Sequence, residues 1–88
     1  MPPSSRRITT QSQIKKRSIV LDGHRTSLSI EDEFWNAVRR LARLNSESLS
    51  SYVSQIDSQR ETGNLSSAIR LEVLKEARAG RLPAFSDE

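Results

Sequence analysis

Ser18-Ile19-Val20-Leu21-Asp22-Gly23-His24-Arg25-Thr26-Ser27-Leu28-Ser29-Ile30 is the stretch that decides the fold. Ser18 to Leu21 is apolar and β-branched. Asp-Gly then follows, a pair that favours a tight hairpin turn because both central residues of a type I′ turn need positive φ. From His24 to Ile30 the chain alternates. Thr26, Leu28 and Ile30 fall on one side, and Arg25, Ser27 and Ser29 on the other. The spacing predicts a strand over about 24–30. The segment at about 17–21 is either a short edge strand or a loose lead-in to it.

A helix is predicted directly after Ile30, over about 31–44. Ser29 followed three residues later by Asp32 fits a capping pair, and Glu31, Asp32 and Glu33 suit the positive end of a helix dipole. Phe34, Val38, Leu41 and Ala42 fall at helical spacing with Trp35 beside them. A second helix, about 49–61, is capped by Ser48 and carries Leu49, Tyr52, Val53 and Ile56 on one face. A third, about 65–79, spreads Leu65, Ala68, Ile69, Leu71, Val73, Leu74 and Ala77 over more than one face. It is therefore expected to be largely buried or shared with a second chain. Gly80 and Leu82-Pro83 end it, leaving 80–88 as a short tail. Residues 1–14 hold two prolines and no periodicity and are read as a flexible arm, basic through Arg6 and Arg7.

Composition narrows the function. The chain has 88 residues, 34% hydrophobic and 28% charged, with a mean hydropathy of −0.61. One core of that size rarely supplies more than ~3–5 kcal/mol unaided. The sequence has no cysteine and one histidine, which excludes disulfides and the usual zinc sites, and no cofactor is expected. No apolar run exceeds three residues, so no membrane span or secretory core is expected. The first 20 residues, basic and free of acid, are similar to a transit peptide, but a basic arm is the preferred reading. Glu31, Asp32 and Glu33 are splayed by helical adjacency, no base is placed to activate a serine, and the three glycines are scattered. Catalysis is not expected.

Charge is polarised. Residues 1–25 carry six basic side chains against Asp22, a net +5, whereas residues 26–88 carry eight basic and ten acidic, a net −2. A cationic front is an electrostatic footprint for a polyanion. One alternating strand, or one marginal hairpin, leaves an edge of unpaired peptide groups. Pairing with the same strand of a second molecule would close it. The expected architecture is thus α+β, mostly α, a homodimer joined by an intermolecular antiparallel ribbon, with three helices per chain. Its shared core would comprise Leu28, Ile30, Phe34, Trp35, Val38, Leu41, Tyr52, Val53, Ile56, Ile69 and Val73. The outward face would present Arg25, Ser27 and Ser29 twice, and a two-stranded ribbon fits the DNA major groove.

Lys16-Arg17-Ser18, Gly23-His24-Arg25-Thr26-Ser27, Ile30-Glu31-Asp32-Glu33-Phe34-Trp35 and Asn64-Leu65-Ser66-Ser67-Ala68-Ile69-Arg70, in that order, resemble the ribbon-helix-helix superfamily of bacterial DNA-binding proteins. The resemblance runs from Lys16 to Arg78. It implies that Arg25, Ser27 and Ser29 read bases, while the backbone around Ser48, Leu49 and Ser50 clamps a phosphate. A third helix departs from the minimal pattern and offers Asn64-Leu65-Ser66-Ser67 as an alternative clamp. Arg6, Arg7, Lys15, Lys16 and Arg17 are candidate phosphate contacts. The function so implied is a non-enzymatic, cytoplasmic, nucleoid-associated repressor whose partners are double-stranded DNA and itself, with higher assembly on DNA left open. Two alternatives stand beside it: an antitoxin with the same fold, and an adaptor whose basic arm binds anionic lipid or an acidic protein.

Overall fold

The computed structural model describes residues 13–60 and 63–82. Two strands, β1 (Ile14–Leu21) and β2 (His24–Glu31), are followed by three helices: α1 (Asp32–Leu44), α2 (Leu49–Gln59) and α3 (Leu65–Arg78). The strands form an antiparallel hairpin with Leu21 opposite His24 and Ile14 opposite Glu31. Asp22 (φ 51) and Gly23 (φ 82) both take the left-handed conformation that a two-residue loop of this kind demands.

Strand β2 therefore finds its partner within its own chain. The ribbon formed within one chain is this β1–β2 pair. Its first strand is as long as its second and begins well before the apolar run. Lys15 and Lys16 hid its first half, because a strand exposed on one face needs apolar residues only at alternate positions. The far edge of β2 is also covered at Ser29, whose carbonyl accepts a 2.6 Å hydrogen bond from Ser66 Oγ at the start of α3.

Ile19, Leu21, Leu28 and Ile30 face inward from the ribbon and meet Trp35, Val38, Leu41 and Ala42 of α1, Tyr52, Val53 and Ile56 of α2, and Leu65, Ile69 and Val73 of α3. Phe34 is half-buried against this cluster. The residues expected to form a core between two chains are thus covered within one. Helix α2 packs on β1, while α1 and α3 pack on β2, so the ribbon roofs a three-helix layer.

The helix ends show which capping signals operate. Ser48 Oγ accepts from the Ser51 amide at 3.0 Å and Asn64 Oδ1 from the Ser67 amide at 2.8 Å. At α1 the cap is Glu31, with no side-chain capping bond. Ser29 does not serve there: it lies two residues earlier in β2, on the ribbon's outer face. The first turn of α1 is held by cations from β1 instead.

Ile30→Ala, at a position with no exposure, is expected to cost about 2–5 kcal/mol. Gly23→Ala is expected to cost about 1 kcal/mol through its positive φ. Urea unfolding followed by circular dichroism measures both.

Candidate nucleic-acid interface

Pairing in the hairpin puts opposite residues on the same face, so each face draws on both strands. Lys16 lies opposite Ser29, Ser18 opposite Ser27, and Val20 opposite Arg25. These six side chains are exposed and form the outer face of the ribbon. Arg25 Nη1 donates across the face to Ser18 Oγ at 3.3 Å, which holds the guanidinium over the ribbon. At the open end Glu31 is the first carboxylate, and Arg70 Nε pairs with its Oε1 at 2.9 Å. The outer face thus offers two cations and three hydroxyls.

The three candidate base readers, Arg25, Ser27 and Ser29, share this face, and Lys16 joins them there. Ser18 belongs to it too. It is absent from the sequence-predicted readers, although the alternation Ile14, Lys16, Ser18, Val20 extends the same period back through β1. Lys15 and Arg17 project from the opposite side of β1. Arg17 donates through Nη2 to the Asp32 carboxylate and, at 3.3 Å, to the Ile30 carbonyl. Its guanidinium carbon lies 5.4 Å from the centre of the Trp35 ring. With 16% of its side chain exposed, Arg17 is committed to the fold. Lys15 Nζ pairs with Asp32 Oδ2 at 3.1 Å and remains more open. Arg6 and Arg7 lie outside the described residues.

The two candidate clamps separate in space. The start of α3 abuts the ribbon through the Ser66–Ser29 bond, and Asn64, Leu65 and Ser66 line a groove of about 420 Å³ with Lys16, Ser27 and Ser29. Ser50, at the start of α2, lines another groove beside Asp22 at the hairpin tip. Ser48 is exposed and caps its helix, and Leu49 is half-buried against the core. Among the described residues no group of His, Asp and Glu is arranged to hold a metal. No described helix is long and apolar enough to cross a membrane.

Residues 14–77 match the ribbon-helix-helix domain family. The chain belongs to that family, whose members are typically non-enzymatic DNA-binding proteins that generally bind DNA as dimers. Among solved structures the chain is similar to an uncharacterized protein from Bordetella pertussis Tohama I. That match has a TM-score of 0.66 and 23% sequence identity, and covers 90% of this chain and 70% of the other. The likeness is one of fold. No curated protein matches the sequence.

The ion pairs at the base of the ribbon have a pH consequence. Hydrogen bonds from Arg17 and then Lys15 hold the Asp32 carboxyl below its ordinary range, and the Arg70 hydrogen bond does the same for Glu31. A depressed carboxylate contributes stability that is full above its unfolded pKa, about 4 for both residues, and is lost as pH falls through the lower folded value. Stability is expected to decline in that acid window. Asp32→Asn is expected to lower stability at neutral pH and flatten part of the decline, as read by urea midpoints across pH.

Proposed function

We propose that the protein is a sequence-specific regulator of transcription, acting as a repressor, that lays the outer face of its own β1–β2 ribbon in the major groove of duplex DNA. The observation that carries this is the composition of that face, where Lys16, Ser18, Arg25, Ser27 and Ser29 are exposed together. Two strands about 4.8 Å apart present a ribbon narrow enough for a groove about 12 Å wide. Arginine offers two parallel donors to guanine O6 and N7, and hydroxyls donate or accept as the base requires. Lys16, beside the start of α3, meets a phosphate at the groove's lip, with the first turn of that helix as its neighbour. The alternative clamp at the start of α3 is thereby favoured over Ser48, Leu49 and Ser50.

The working unit is a homodimer in the cytoplasm, bound to the nucleoid, with each protomer bringing a complete ribbon. Two ribbons on one duplex double the phosphate contacts and the bases read, which gives a short site the affinity that one small domain lacks.

Arg25→Ala is expected to keep the fold and cost about 1–3 kcal/mol at one base position, relaxing preference there. Lys16→Ala is expected to weaken binding evenly across sequences and to reduce the slope of log affinity against log salt by about 0.9 for each phosphate it no longer neutralises. Fluorescence anisotropy on a selected and a scrambled duplex reads both, and its equivalence point reads the number of chains per site. Unchanged site selection by Arg25→Ala would remove Arg25 as a reader. One chain per site would remove the dimer.

A further inference from the structure

We infer a second interaction surface at the end of α1, where Arg40, Arg43, Leu44 and Arg81 form a docking site for an acidic peptide segment that carries an apolar side chain. These four residues enclose a shallow concavity of about 290 Å³. Its leucine is 59% exposed and lines the concavity together with the arginines. Three cationic side chains surround it. Arg39, one turn back from Arg43 on the same outward side of α1, adds a fourth charge at the margin.

The fold by itself does not call for this cluster. A cation near a helix C-terminus is favoured by the helix dipole, and Arg43 alone meets that demand. Arg39 and Arg43 stand four residues apart and Arg40 and Arg43 three apart, spacings at which like charges repel. Among the described residues no carboxylate pairs with Arg39, Arg40 or Arg43. Arg81 pairs through Nε with Glu76 at 2.9 Å while its side chain stays 65% exposed, leaving the outer guanidinium nitrogens available. The nearby acid Glu47 is occupied by Ser51 and Gln55.

The occupant's chemistry follows from the mixture of charges and leucine. Carboxylates receive paired N–H donors from arginine, and an apolar side chain between them takes Leu44 out of water. A phosphodiester backbone would satisfy the arginines and leave the leucine wet. The site shares no residue with the outer face of β1–β2. A peptide here does not compete with a ligand on the ribbon.

The test uses the full chain and a fluorescein-labelled synthetic peptide, Glu-Leu-Asp-Glu-Leu-Asp, followed by fluorescence anisotropy. Saturable binding is expected. The double variant Arg40→Ala/Arg43→Ala is expected to weaken it by about tenfold or more, as removal of charge-assisted hydrogen bonds does. Leu44→Ala removes an exposed side chain and is expected to weaken binding severalfold with unchanged circular dichroism. Arg25→Ala should leave peptide binding intact, which separates this surface from the proposed DNA contact. The proposal is overturned by absence of saturable binding, or by parental affinity in Leu44→Ala, which would reduce the site to unspecific charge. It is overturned equally if the double variant loses affinity for duplex DNA as strongly as for the peptide.

Discussion

The register of the β1–β2 hairpin is the constraint on which the rest of the molecule depends. The two-residue loop at Asp22 and Gly23 sets Leu21 opposite His24 and thereby every pair down to Ile14 and Glu31. A slip of one residue in β1 would turn Ile19 and Leu21 toward water and bring Lys16 and Ser18 against the core. Neither outcome is tolerable, so burial and turn geometry select the same register. The face left outside is then a by-product of the core, which is how a small domain presents a polar surface without dedicating a loop to it.

Cations on the two sides of β1 have divided roles for the same reason. Lys16 looks outward with the proposed readers. Arg17, its neighbour, reaches over the start of α1, where it meets Asp32, the Ile30 carbonyl and the Trp35 ring. This contact replaces the side-chain cap that α1 lacks and ties the ribbon's base to the first helix. A mirror arrangement secures the other strand, with Arg70 of α3 paired to Glu31 and 5.9 Å from the Phe34 ring centre. The ribbon is thus anchored from both edges by arginines, and its outer face is free of that duty.

Much of this is legible in the sequence. Asp-Gly and the alternation after it locate the turn and β2, and helical spacing identifies Trp35, Val38, Leu41, Tyr52, Val53, Ile56, Ile69 and Val73, all of which are buried. Less legible is β1, because its first residues are charged and period-two reading looks for apolar partners. With the first half of β1 hidden, the hairpin looks marginal and a second molecule is invoked to close its edge. The direction of Arg17 is equally hidden. A run of three cations reads as one surface, yet strand geometry sends successive side chains to opposite faces, and only the position of Asp32 and Trp35 decides which of them is drawn in. The closeness of α3 to Ser29 depends on tertiary packing across more than thirty residues, for which local sequence carries no signal.

The most direct test of a DNA-reading ribbon within a single chain is an amide chemical-shift map of the labelled protein titrated with duplex DNA. The perturbations should fall on Lys16, Ser18, Arg25, Ser27 and Ser29 and at the start of α3, with the amides of Arg39, Arg40 and Arg43 unmoved. Perturbations centred on α1 or on the start of α2, with the ribbon silent, would contradict it.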